Sequence, residues 1–243
     1  MVATSGESIT VTGQTAHHAT QVLRLRPGAV IRLFNGHGQE WDAVLQEIRR
    51  TEIRLDVGVP VETIAEPSLC ITLAQGIARN DRMDFILQKS VELGVSRIQP
   101  LWMQRCQIRI RGERLEKRLG HWQGVITSAC EQCGRSTLPE LHRPEDYTIW
   151  ISRQSPSSLG LLLQPDSTQN LHELPAPKKD IVILVGPEGG LNEEEQRLAA
   201  ISDFRGIRLG QRILRTETAA LSALAGIQTL WGDFRSQGKQ VRP

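Results

Sequence analysis

The sharpest hydrophobic pattern in the chain lies near its end, at Ile181-Val182-Ile183-Leu184-Val185. Five successive β-branched or leucine residues are expected of a strand buried on both faces of a parallel sheet. The run stops at Gly186-Pro187-Glu188-Gly189-Gly190, a loop, because glycine and proline both interrupt regular structure. Asn192 then reads as a helix cap with Glu195 three positions on, and three glutamates in the first turn suit the helix dipole. The pattern recurs. Gly206 to Leu209 reads as a short strand, Gly210 to Arg215 as a loop, and a helix starts near Thr216, its expected cap. Two such loops are expected side by side at the carboxyl ends of adjacent strands, where open α/β sheets bind ligands. A tightly packed α/β unit whose glycines serve only turns fits the same spacing, and spacing does not separate the two.

Upstream the period changes. Residues 15–23 suit a short helix, while Val30 to Phe34, Asn35-Gly36 and Glu40 to Glu47 read as a β-hairpin with a strong turn signal. Glu52 to Val57 alternates as a further strand, and this β-rich module ends near Pro60 to Pro67, a linker. A second region opens with Leu69 to Leu73 as a strand and Gln75 to Arg79 as a loop. Asp81 is the expected cap of a helix that buries Met83, Leu87 and Val91 and stops at Gly94. Val95 to Leu101 is the next strand. Leu115, Leu119, Trp122, Ile126, Ala129 and Cys133 mark one face of a long helix. Leu159 to Leu163 is another strand, and Gln164 to Lys179 a proline-bearing loop. Strands alternating with helices place the second region in the α/β class with a mostly parallel sheet.

Composition adds little to the fold and something to the function. The 243 residues are 39% hydrophobic and 23% charged, ordinary for a globular protein. No apolar run approaches the roughly 20 residues that span a bilayer. The first residues, MVATSGESITVTG, lack a basic n-region and an apolar h-region, so a cytoplasmic protein is the expectation. The net charge of +2 is too small to argue for a nucleic-acid partner. However, 24 of the 29 basic residues are arginine, whose planar fork suits phosphates and bases; high-GC codon usage would give the same bias. Cys130-x-x-Cys133 lacks a second cysteine pair or a nearby histidine at ligand spacing, so Cys133 is expected in the core of the long helix instead of on a metal.

The wording of the two loops is more specific than their spacing. LVGPEGGLNEEE followed by LGQRILRTETAAL resembles the SPOUT methyltransferases, most closely the ribosomal small-subunit methyltransferase E (RsmE) family. Arg82-Met83-Asp84, Gln88 to Val95, Glu131-Gln132-Cys133-Gly134-Arg135 and Val22-Leu23-Arg24 with Pro27-Gly28 extend the likeness over nearly the whole chain. The resemblance implies an α/β fold with a PUA-like β-barrel over residues 1–67, a fold used for RNA binding. A SPOUT domain over 68–243 would follow, its chain from about Leu184 to Ala225 tied in a trefoil knot, contrary to the general rule against knots. It implies a homodimer with the cofactor pocket close to the dimer interface, and no metal. The implied activity is transfer of a methyl group from S-adenosylmethionine to N3 of a uridine in 16S ribosomal RNA. By the same resemblance Leu163, Leu184, Gly186, Glu188, Gly189, Gly190, Leu209, Gly210, Ile213, Leu214 and Thr218 would bind the cofactor. Arg24, Arg26, Arg79, Arg82, Lys89, Arg105 and Arg135 are the candidate RNA contacts. The first 23 residues depart from the family in having neither an arginine nor an aromatic residue.

The chemistry sets its own requirements. The uridine N3 lone pair becomes available only after a proton leaves, so a base, or a cation that stabilises the imide anion, is needed. Arg215 and Glu217 open the last helix. Arg215 is the candidate for stabilising negative charge on the uracil carbonyls, and Glu217 for accepting the proton or positioning its acceptor, although a glutamate there also suits the helix dipole. Glu188 is a second carboxylate in the same place, able to fix the loop or to take part. The GPEGG loop lacks the Lys-Ser/Thr ending of a phosphate-binding loop, which disfavours ATP hydrolysis. Two other classes remain open: a non-catalytic RNA-binding protein, and a knotted methyltransferase acting on ribose 2′-oxygen or on transfer RNA.

Overall fold

The computed structural model describes residues 5–63, 66–67, 69–154, 157–178 and 180–235. The side chain of Val22, Ile64 and Ala65 of the expected linker, and Lys179 lie outside the described residues. The chain divides into two compact units, one running to Glu66 and including Gly134–Leu138, the other formed by Pro67–Cys133 and the remainder from Pro139.

The first unit is a four-stranded antiparallel sheet. Strand β1 (Ser8–Thr12) is followed by helix α1 (Gly13–His17), a π turn over His18–Val22, and strands β2 (Val30–Phe34), β3 (Glu40–Ile48) and β4 (Glu52–Val61), in the order β1-β4-β3-β2. Alternation buries Ala43 and Leu45 of β3 and Ile53 and Leu55 of β4 against Ala16 and Ala19. The hairpin forms where its turn signal lies, with Phe34 opposite Glu40. Its loop has five residues, closed by Asn35, whose Oδ1 accepts the His37 N–H at 2.8 Å. Pro27-Gly28 makes a turn with Gly28 at φ +90°, where the Ala29 N–H meets the Arg26 carbonyl at 3.0 Å.

The second unit is an all-parallel sheet with helices on both faces. In chain order it comprises β5 (Ile71–Gly76), α2 (Asn80–Glu92), β6 (Arg97–Trp102), α3 (Glu113–Cys133), the short β7 (Glu140–Leu141) and β8 (Glu145–Asp146), α4 (Tyr147–Ile151) and β9 (Leu159–Leu163). After these come β10 (Ile181–Val185), α5 (Glu193–Ile201), β11 (Arg205–Ile207) and α6 (Thr216–Trp231). The strand order is β11-β9-β10-β5-β6, with β7 and β8 sharing the outer edge of β6. β10 is central and buried throughout, as its unbroken apolar run requires. The two loop-bearing strands are not adjacent, contrary to the expectation from sequence. β9 lies between β10 and β11 and pairs with both, so its own exit joins theirs.

Several local expectations shift for identifiable reasons. Asp81 lies inside the first turn of α2, whose N-cap is Arg79, with no side-chain cap. Thr216 does not cap α6; its hydroxyl is drawn instead to a neighbouring loop. On α3 the helical phase buries Cys130 and leaves Cys133 only half-buried, so the core cysteine is Cys130. Among the described residues no helix is long and apolar enough to cross a membrane.

The capping box of α5 forms and does more than cap. Asn192 Oδ1 accepts the Glu195 N–H at 2.7 Å, and Glu195 Oε2 accepts the Asn192 N–H at 2.9 Å. Glu195 is buried, and its Oε1 also accepts the Gln104 N–H at 2.8 Å, fixing the chain after β6. Tyr147 donates to the Glu195 carbonyl at 2.7 Å, and burial pushes the phenol pKa up, so the hydroxyl stays a donor. Glu195→Ala leaves two N–H groups unpaired and is expected to cost about 2–4 kcal/mol in urea unfolding. The neighbouring Glu194, exposed and paired with Arg197, is expected to change stability by less than the error of that titration when replaced by alanine.

Candidate functional site

Three chain segments leave the carboxyl ends of β9, β10 and β11 and enclose a cavity of about 480 Å³. Leu163 to Pro165 form one wall, Val185 to Leu191 a second, and Leu209 with Arg212 to Thr216 a third. A volume of this size suits a ligand of cofactor dimensions. Leu163, Leu209, Ile213 and Leu214 give it apolar surface, while Gly186, Gly189 and Gly190 line it without side chains of their own, and a Cβ on Gly190 would meet nothing within 4 Å.

The glycine loop is held by close packing and buried hydrogen bonds. A Cβ on Gly76, at the end of β5, would meet Pro187 Cδ and N at 2.6 Å, so this glycine is needed for the loop to lie against the strand. A Cβ on Gly189 would meet Arg105 Cβ at 2.9 Å, and Arg105 Nη1 donates to the Gly189 carbonyl at 2.9 Å. Gln75 is fully buried; its Nε2 donates to the Gly76 carbonyl at 2.8 Å and to Thr216 Oγ1 at 2.9 Å. The Thr216 hydroxyl donates in turn to the Gly186 carbonyl at 2.6 Å. The last residues of β5, the first of the glycine loop and the first of α6 thus share one buried polar contact.

Glu188 is oriented by its neighbours. Its Oε1 accepts the Arg79 N–H at 3.0 Å and Arg82 Nη1 at 3.3 Å, whereas Oε2 is buried with no partner among the described residues. Four arginines, Arg82, Arg208, Arg212 and Arg215, line the same cavity, and Arg208 Nε is buried without a hydrogen-bond partner among the described residues. Beneath the site, burial pushes the Cys106 thiol pKa up, and its sulfur accepts the Met103 N–H at 3.3 Å, which makes it a packing group and not a nucleophile.

Most of the loop residues singled out in the sequence meet at the cavity. Leu163, Gly186, Glu188, Gly189, Gly190, Leu209, Ile213, Leu214 and Arg215 all line it. Leu184, Gly210, Thr218 and Glu217 do not. Side chains alternate along β10, so Leu184 belongs to the core beside Trp150 and Phe204 while Val185 reaches the cavity. Gly210 is exposed, and its φ of +80° serves the turn. Thr218 is exposed on α6, and Glu217 has its Oε2 buried without a partner among the described residues.

The candidate RNA-contacting residues are more scattered. Arg82 and Arg105 buttress the glycine loop. Lys89 pairs with Glu92 at 2.7 Å, and Arg135, mostly buried, pairs with Glu66 at 2.5 Å. Arg24, in a left-handed conformation at φ +50°, Arg26 and Arg79 are exposed. Sequence reasoning missed Gln75, Arg208 and Arg212. Gln75 had a signal, a carboxamide ending the apolar run of β5, but its neighbour Gly76 drew it into an expected loop.

Comparison with known proteins agrees with this architecture. Residues 65–228 match the family model for an RNA methyltransferase domain, and residues 11–58 that for an RNA methyltransferase PUA domain. Fold and site therefore define an RNA methyltransferase with an appended PUA unit. A ribosomal RNA small subunit methyltransferase E of Buchnera aphidicola (subsp. Schizaphis graminum) is 32% identical over 93% of this chain and 92% of its own. The Neisseria gonorrhoeae protein of that name, solved bound to S-adenosylmethionine, is 39% identical with a TM-score of 0.89 over 96% of both chains. A putative methyltransferase from Legionella pneumophila, solved with the same bound cofactor, is 35% identical with a TM-score of 0.92 over 96% of both chains. The chain belongs to the ribosomal RNA small subunit methyltransferase E family.

The packing around Gly76 yields a paired prediction. Gly76→Ala is expected to destabilise the protein by about 1–3 kcal/mol, because the rigid Pro187 backbone blocks the new methyl group. Gly124→Ala, in α3 where a Cβ meets nothing within 4 Å, is expected to stabilise it by about 0.5–1 kcal/mol. Urea titration of both variants reads the opposite signs.

Proposed function

We propose that this protein methylates N3 of a uridine in the 16S RNA of the small ribosomal subunit, with S-adenosylmethionine as methyl donor. The observation that carries the reading is the cavity itself, built by the GPEGG and LGQRILRT loops in a chain of this family. The residues present fit such a donor: apolar walls for an adenine, and open backbone at Gly190, where a Cβ would meet nothing within 4 Å. When bound, the cofactor supplies a methyl group already activated on a sulfonium. What the chain supplies is position and electrostatics. Leu163, Leu209, Ile213 and Leu214 would hold the base, and the glycine loop would give hydrogen bonds through backbone groups not already taken by Thr216, Gln75, Arg105 and Pro187.

Arg215 lines the cavity, and its assigned role is to stabilise the uracil carbonyls as N3 loses its proton. Arg208 and Arg212 extend this positive lining, which suits an RNA substrate. Exposed Arg24, Arg26 and Arg79 are assigned to phosphate contacts. In this reading residues 1–67 close as a PUA-like barrel that binds RNA and residues 68–243 form the SPOUT domain, knotted from about Leu184 to Ala225. Two copies associate as a homodimer with the cavity near their interface, acting in the cytoplasm on the assembling or assembled subunit.

The test uses small subunits lacking the modification, incubated with the protein and S-adenosylmethionine and then read by primer extension. A methyl on N3 blocks pairing, so a new cofactor-dependent stop is expected at one uridine. Label transferred without a stop would point to a methyl that leaves pairing intact, such as a ribose 2′-O-methyl, and would refute the N3 assignment. In the same assay Arg215→Ala is expected to lower kcat about 100-fold; full activity would remove its role.

A further inference from the structure

Methylation at N3 requires that a proton leave the uracil ring, and the cavity offers few places for it to go. Among the described residues that line the cavity, Glu188 is the sole carboxylate, and no histidine, lysine, tyrosine, cysteine or aspartate joins it. The other ionisable side chains there are arginines, which remain protonated and cannot accept. Glu217, the carboxylate that sequence position favours, is not part of the lining.

The geometry of Glu188 is that of a held acceptor with one free oxygen. The Arg79 N–H at 3.0 Å and Arg82 Nη1 at 3.3 Å both meet Oε1, so a single oxygen carries the anchoring. Oε2 is buried, and nothing among the described residues donates to it. A buried carboxylate oxygen without a donor is costly in the empty protein, a cost removed when a ligand brings an N–H to it. Pro187 before it and Gly189 after it are packed against Gly76 and Arg105, so the backbone that carries the carboxylate is itself fixed.

We propose that Glu188 is the general base of the reaction, with Oε2 accepting the N3 proton of the target uridine. The inference rests on the uridine-N3 reading above and assigns its missing proton acceptor. In the balanced step the N3–H bond breaks and its proton passes to Oε2, giving a neutral carboxylic acid. The nitrogen electron pair forms the new N3–carbon bond to the methyl group. The carbon–sulfur bond of the methyl donor breaks, and its electron pair stays on sulfur, which becomes a neutral thioether. Arg215, on the same cavity, stabilises the carbonyl oxygens while the proton is in transit. Oε2 then returns its proton to solvent when product leaves.

The test is single-turnover methyl transfer to unmodified small subunits between pH 6 and pH 10, comparing the wild-type protein with Glu188→Gln. Glutamine keeps an oxygen for the Arg79 N–H, so S-adenosylmethionine affinity by calorimetry is expected within about threefold of wild type. At pH 7 the variant is expected to lose about 10²–10⁴-fold in rate, the usual worth of a positioned base. Its rate should then climb about tenfold per pH unit up to about pH 9, where the uracil N3 proton itself dissociates, so that the gap to wild type narrows with pH. Replacing the target uridine by 5-fluorouridine, whose N3 proton is more acidic, should shrink the variant's defect. Glu188→Asp, which keeps a carboxylate, should recover at least tenfold of the loss.

Three results would overturn the assignment. One is a variant profile parallel to wild type; another is a loss that neither high pH nor 5-fluorouridine restores. The third is cofactor affinity falling in step with rate, which would make Glu188 an anchor of the loop alone. Wild-type protein that methylates no uridine N3 would instead refute the function on which the inference depends, and the assignment with it.

Discussion

Everything at the cavity depends on one buried contact, the Thr216 hydroxyl on the Gly186 carbonyl with the Gln75 carboxamide against both. Three segments far apart in sequence converge there: the end of β5, the exit of β10 and the start of α6. In a buried position such a network has no competing solvent, so its members hold one geometry or lose most of the contact. The cavity walls follow from this. With Gly186 fixed on one side and Thr216 on the other, the glycine loop and the segment from Leu209 to Arg215 have a set separation, and the exit of β9 fills the gap between them.

Charge is arranged over that frame with a consistent sense. Four arginines and one glutamate line the cavity, and the glutamate is already tied at Oε1 to the Arg79 N–H and Arg82. A site this positive would be poorly matched to a cationic methyl donor alone. In the proposed reading a polyanionic substrate closes over it, bringing phosphates to the arginines and an acidic N–H to the remaining carboxylate oxygen. The same balance explains why Arg105 and Arg82 count as part of the site even though they act on the protein: they hold the loop that carries Glu188.

Much of this was legible in the sequence, and the failures have physical reasons. Strands such as Leu159–Leu163 and Ile181–Val185 appear where the apolar runs place them, and the Asn192–Glu195 capping box forms as its spacing requires. Local rules reached that far. They did not reveal that β9 would separate the two loop-bearing strands, because strand order depends on crossovers between distant segments. Leu184 was assigned to the cavity by motif, whereas the two-residue period of a strand turns it into the core and presents Val185. Thr216 looked like a cap from its place before a helix, yet its hydroxyl answers to a carbonyl thirty residues upstream. Gln75 was hidden for the same reason: besides the carbonyl of its neighbour Gly76, its partners Gly186 and Thr216 lie on distant segments, and no local pattern records them.

The most direct measurement of this account is a double-mutant cycle on S-adenosylmethionine affinity, using Gln75→Met, Thr216→Val and the pair, by isothermal titration calorimetry. If the two side chains jointly set the distance between the loops, each single variant weakens binding and the pair shows a coupling of about 1 kcal/mol or more. Strictly additive effects, or affinities equal to wild type in all three proteins, would contradict it, and the cavity would then be shaped by packing around Gly76 and Gly189 alone.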